Sequence, residues 1–182
     1  MTIDSIAREA EKLFKKYGER DPFRLAEALG IRTELRPMGL YDGCVKGFFI
    51  YAYRIRHITV NSDLPELLQR VIMAHELGHA VLHAREAGVS GFHDMLLFDS
   101  TVPTEYEANL FASEILLEDD AVMEALNEDG FFFQAAGKLC VPPELLDFKF
   151  RVMKRRGWKL ESPLLSQSNF LKDIEKLDYQ RR

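Results

Sequence analysis

The sequence has little with which to build covalent or membrane-borne structure. Among 182 residues there are two cysteines, Cys44 and Cys140, at no spacing that marks a metal or redox pair. That argues against a disulfide framework and favours two reduced thiols. No apolar run approaches the roughly 20 residues that a membrane-spanning helix needs. The first residues, "MTIDSIAREAEKLFKKYG", carry both charge signs and no continuous apolar core, so they are not expected to be a secretory leader. A basic surplus is also missing. The net charge is −5, which speaks against nucleic acid as a direct partner of the whole molecule. Internal repeats and low-complexity tracts are absent from the sequence. The expectation is a cytoplasmic protein with no membrane partner.

What is present is ordinary globular material, 47% hydrophobic and 29% charged, enough for one domain with a real core. Apolar residues Ile3, Ile6, Ala7, Ala10, Leu13, Phe14 and Tyr17 recur at helical spacing, and Gly18 can end that helix. Asp21 caps a second helix that opens on Pro22 and ends at Gly30. Ile31–Arg36 reads as a strand. Residues 45–52 and 55–60 read as a hairpin, with Ile58 and Val60 alternating against His57 and Thr59 so that one face is buried. The next helix starts at a Ser62 or Asp63 cap, has Pro65 in its first turn, and runs to about residue 84. Residues 85–103 read as a long loop with one short turn at "DMLLF". "TEYEANLFASEILLEDDAVMEAL" reads as one helix, and "FFFQAAGKLC" and "PPELLDFKFRVMKRR" as two short ones. The expected organisation is a core over 1–125, a helical subdomain over 126–160 packed on it, and a polar tail over 161–182 with one more helix at 167–178.

The chemistry concentrates in His75-Glu76-Leu77-Gly78-His79. On a helix, positions i and i+4 share a face, so both imidazoles can reach one ion at about 2.0–2.1 Å. Glu76 then points at a water on that ion and can serve as general base. His83 shares the same face. Eight residues at 1.5 Å rise put it about 12 Å from His75, too far for a third ligand. It is left as an orienting group, a substrate or transition-state contact, or a helix C-terminal cation. The better third ligand lies in "TEYEAN", which offers Glu105 and Glu107. Thr104 and Glu107 have the spacing of a capping box, which occupies Glu107 and favours Glu105. Glu107 stays as the alternative. Asn109, one turn after Glu105, can accept a ring N–H from a ligating histidine. Two histidines and a carboxylate favour Zn2+, with a fourth position open for water. That is the chemistry of amide hydrolysis. His83, His93, Tyr106, Tyr51 and Tyr53 are candidates to steady the oxyanion. The 45–60 hairpin is a candidate edge for an extended peptide.

The order "ITVN", "RVIMAHELGHAVLH", "EYEANLFASEILL", "AAGKLCVPPELLDFKFRVM" resembles the ImmA/IrrE family of zinc-dependent metallopeptidases, most of all its ImmA branch. The likeness spans about residues 5–157. It implies a zincin-like α+β fold with a small, mainly antiparallel sheet, an active-site helix, a helix bearing the glutamate ligand, and a C-terminal helical region. It implies His75, His79 and Glu105 as metal ligands and Glu76 as the base. The implied partner is a helix-turn-helix repressor, cut by an anti-repressor of a mobile element or prophage.

Two alternatives stand beside it. One is a partner that binds a repressor or toxin without cutting it. The other uses Lys149, Arg151, Lys154, Arg155, Arg156 and Lys159, an acid-free basic run after two short helices, to contact DNA. A solvated helix face explains that run more simply.

Overall fold

The computed structural model describes residues 1–84, 92–94, 98, 101–129 and 131–163, with only the backbone at 92–94 and 129. The 167–178 helix, most of the polar tail and the "DMLLF" turn fall outside these residues. Helix α1 (Ile3–Tyr17) forms where the apolar spacing places it, and buries Ile6, Ala7 and Ala10. Thr2 caps it by accepting the Ser5 N–H at 3.2 Å. Gly18 ends it with a left-handed φ of 64°, a conformation that a Cβ would penalise. Helix α2 (Pro22–Ala28) is held by Asp21, whose carboxylate accepts the Phe23 and Arg24 N–H groups, both at 3.1 Å.

A mixed sheet follows in the order β1-β3-β2-β4, from β1 (Arg32–Arg36), β2 (Gly47–Ala52), β3 (Ile55–Asn61) and β4 (Phe92–Asp94). β1 runs parallel to β3, while β2 is antiparallel to both β3 and β4. The β2–β3 turn is Tyr53–Arg54, with φ of 51° and 64°. A two-residue turn of type I′ requires that left-handed pair, and here it is met without glycine.

The sheet corrects three expectations. Residues 92–94 form a strand inside the stretch read as loop. Three residues carry too little pattern to show as a strand, and pairing with Gly47–Phe49 supplies what the sequence cannot. The hairpin is central rather than an edge, since β1 and β4 flank it. The far end of β3 is also covered on both faces, with Thr59 2% and Asn61 0% exposed. Asn61 is a clamp. It donates to the Gly39 and Val45 carbonyls at 2.9 and 3.2 Å and accepts the Met38 and Asp63 N–H groups at 3.1 and 3.0 Å.

Helix α3 (Glu66–Leu82) starts after Pro65 with no side-chain cap. Ser62 and Asp63 do not cap it, because Asp63 accepts the Gly39 N–H at 2.7 Å instead. From Val71 to Ala80 every residue is buried. A helix apolar all round must be central, and α3 has the sheet on one side and α4 (Pro103–Leu116) on another.

The single helix read over 104–126 is two. Leu117 is extended (φ −123°, ψ 122°), and α5 (Asp119–Asp129) restarts with Asp119 and Asp120 in its first turn, where a helix favours acids. Helices α6 (Phe132–Lys138) and α7 (Pro143–Arg155) complete the fold. One buried apolar cluster runs from Ile6 to Met153, and residue 125 lies within α5. Among the described residues no helix is long and apolar enough to cross a membrane.

Most of the basic run is solvated, as expected, but Lys149 is not. Lys149 is 1% exposed, with its Nζ 2.6 Å from Glu114 Oε1 and 2.7 Å from Asp119 Oδ1. Arg156 reaches the same two carboxylates, Arg151 pairs with Asp147 at 2.7 Å, and Arg155 with Asp4 at 3.4 Å. Burial alone would raise the Asp119 carboxyl, yet Lys149 and Arg156 hold it below its ordinary value. Lys154 and Lys159 are exposed.

Candidate metal centre

Helices α3 and α4 cross at Gly78 and Ala108. A Cβ on Gly78 would lie 3.0 Å from Ala108 Cα and 3.2 Å from its carbonyl oxygen. Glycine inside a helix costs roughly 1 kcal/mol against alanine, so it needs a reason, and this close approach supplies one. The crossing brings the face bearing His75 and His79 against the face bearing Glu105 and Asn109. Gly78→Ala is expected to weaken metal binding, because backbone rather than a pliable side chain blocks the new methyl. Overpacking of about 1–3 kcal/mol would outweigh the gain in helix propensity. Unchanged zinc affinity in a chelator competition would show that the crossing does not set the donor spacing.

The donors converge. His75 Nε2 lies 3.0 Å from His79 Nε2 and 3.1 Å from Glu105 Oε2, and His79 Nε2 lies 3.3 Å from the same oxygen. A tetrahedron built on bonds of about 2.0–2.1 Å has edges of about 3.3–3.4 Å. The three separations, 3.0, 3.1 and 3.3 Å, come close to such an edge. His75 and His79 are fully buried, and the Glu105 side chain is 16% exposed. Lone pairs gathered out of water are unfavourable unless they share a cation or proton, so the residues present fit a divalent metal. Among the described residues, His75, His79 and Glu105 are the group that can hold one.

Burial pushes the His79 imidazole below its ordinary value, and His83 down to about 4. Both shifts favour the neutral imidazole. Burial acting alone would raise Glu105, but hydrogen bonds from His75 and His79 pull its carboxyl well below the usual carboxylate range. Asn109 is buried, with its Oδ1 2.8 Å from His75 Nδ1. That contact leaves Nε2 of His75 to face the cluster.

The capping box does not form. Thr104 lies inside α4, whose N-cap is Val102 without a side-chain bond. Glu107 instead lies 2.9 Å from His83 Nε2 and also meets the Met1 amino group. His83 lies outside the three-residue cluster, 3% exposed, with Nδ1 3.2 Å from His79 Nδ1. Tyr106 packs its ring 5.7 Å from that of Phe148, under the Arg151 guanidinium. Tyr53 is 97% exposed at the hairpin tip, and Tyr51 is half-buried in β2. The His93 backbone pairs with Phe48, and its side chain is outside the described residues.

Glu76 is fully buried and faces β2. A Cβ on Gly47 would lie 2.5 Å from Ile72 Cγ2 and 3.5 Å from Glu76 Cγ. Gly47 thus lets the sheet close onto the helix beside Glu76. Sequence reasoning missed both Gly47 and Gly78. A glycine within a helix or strand pattern was the available signal.

The profile of the IrrE N-terminal-like domain, peptidase family M78, matches residues 26–150. The chain belongs to this metallopeptidase family. In the IrrE N-terminal-like domain as this chain builds it, the matched span contains the whole sheet together with α3 and α4. The chain is 35% identical over 144 residues to Uncharacterized immunity region protein 2 of Bacillus phage phi105, covering 79% of this chain and 88% of that one. It is 27% identical over 150 residues to Metallopeptidase ImmA of Bacillus subtilis (strain 168), covering 81% and 85%. The resemblance drawn from the motifs is therefore that of an ImmA/IrrE family metallopeptidase, with a protein as substrate class.

Proposed function

We propose that this chain is a zinc-dependent endopeptidase that cuts one peptide bond in a helix-turn-helix repressor, and so relieves repression of a prophage or mobile element. The observation that carries the proposal is the His75, His79 and Glu105 donor triangle with Glu76 next in sequence to the first histidine. In this reading the fold is a zincin. His75, His79 and Glu105 hold the ion, and Asn109 fixes the His75 ring. Two imidazoles and a carboxylate favour zinc. Zinc bound there would acidify a water and polarise the scissile carbonyl. Glu76 takes a proton from the attacking water and later delivers it to the departing amine. The substrate lies extended along β4, which among the described residues pairs with β2 alone and so can offer sequence-tolerant backbone bonds on its other edge. His93, in the sequence of that strand, is a candidate to steady the oxyanion.

The repressor assignment draws on the ImmA resemblance and on the phage immunity relative. The paired state of Lys149, Arg151, Arg155 and Arg156 weighs against DNA as the direct target. The test mixes the zinc-loaded protein with a repressor encoded beside it and reads the products by mass spectrometry. One discrete cut that a chelator stops is expected. Stable binding with no cut over many hours would favour the non-cleaving partner instead.

A further inference from the structure

We propose that His83 and Glu107 are positioning residues that fix the ring of His79 through a two-step proton chain. The inference rests on reading His75, His79 and Glu105 as the metal site. His79 turns Nε2 into that cluster and leaves Nδ1 for another partner. That partner is His83 Nδ1, at 3.2 Å. Two ring nitrogens facing each other share one proton, so one must donate and the other accept. A histidine that ligates through Nε2 carries its proton on Nδ1. His79 is therefore the donor and His83 Nδ1 the acceptor. The His83 proton then sits on Nε2, which lies 2.9 Å from Glu107 Oε2. The chain ends on a carboxylate that can only accept while ionised.

The backbone builds this arrangement from two helices. His79 and His83 stand one turn apart on α3, and His83 is the C-cap of that helix, with a non-helical φ of −122°. Glu107 stands two residues after Glu105 on α4, so one turn of one helix serves both the cluster and the chain behind it. The His83 ring is 3% exposed and the Glu107 side chain 12%, so water is a poor substitute for either contact. The two histidines are thereby held differently. His75 donates to a neutral amide, whereas His79 donates through an imidazole to a charged carboxylate. The second arrangement makes His79 the more basic ligand.

The direct test is long-range proton–nitrogen NMR on the zinc-loaded protein, which reports which nitrogen of each ring is protonated. His79 protonated on Nδ1 and His83 on Nε2 are expected. His83 protonated on Nδ1 would overturn the chain. Zinc affinity, read by competition with a chelator, supplies a second measure. His83→Phe is expected to weaken binding by about 10–100-fold. Glu107→Gln keeps an acceptor oxygen and should lose less affinity than Glu107→Leu. Equal affinities for Glu107→Gln and Glu107→Leu would overturn the proposal even if His83→Phe fails to fold. A parent protein that binds no zinc, or binds it unchanged after His75→Ala, would instead sink the metal-site reading itself.

Discussion

Glu76→Gln is expected to leave zinc bound and to stop peptide hydrolysis. Glutamine keeps the length and shape of the side chain but cannot take up a proton at neutral pH. Glu76 is not among the converging donors, which are His75, His79 and Glu105, so zinc affinity should stay within a few-fold of the parent. Loss of a positioned base costs on the order of 10²–10⁴ in rate. Binding of a protein substrate should survive as well, which makes this variant a trap for the uncut complex. Two measurements check the expectation, zinc stoichiometry after dialysis and the single-turnover cleavage rate. Undiminished cleavage would remove Glu76 from the chemistry. Loss of zinc would make it part of the metal-holding structure.

The second large effect concerns stability. Glu114→Ala leaves the Lys149 ammonium buried, with Asp119 as its remaining carboxylate. Leaving a buried charge with no partner typically costs about 3–5 kcal/mol, and Lys149, which keeps one carboxylate of two, should fall at the lower end of that range. For a chain of this size that corresponds to a fall in Tm on the order of 10 °C. Adding Lys149→Met to the same protein removes the stranded charge, while Asp119 keeps Arg156 at 2.7 Å. The double variant should therefore melt above the Glu114→Ala single variant. If the single and the double variant both melt within about 2 °C of the parent, the pair is not holding α7 in place.

The two effects differ in how visible they were beforehand. The spacing of His75, Glu76 and His79 is local, so the sequence alone placed both imidazoles on one helical face. Glu105 was reached by elimination, and one step of that elimination was unsound. Thr104 does not cap α4, and Glu107 is turned toward His83 rather than toward the helix start. The structure nonetheless puts Glu105, not Glu107, beside the two histidines. Lys149 was misread because its partners are far away in sequence. A lysine in a basic run looks solvated until Glu114 and Asp119 arrive from another helix. β4 was invisible for a related reason, as a three-residue strand exists only by virtue of β2. Helices α1 and α2 were legible because their caps and apolar spacing lie within each segment, and α6 and α7 because "VPP" divides them.

Helix α4 carries Glu105, Asn109 and Glu114 within ten residues, and so joins two tasks on one rod. Its first half completes the donor cluster and its second half anchors α7. A substitution there will change both the reaction and the melting temperature, and a loss of activity alone cannot say which came first. Inheritance faces the same constraint. Drift in this helix is judged twice, while the neighbouring surface of α5 is judged once at most. Variation among relatives should accordingly thin out along α4 and accumulate beyond Leu117.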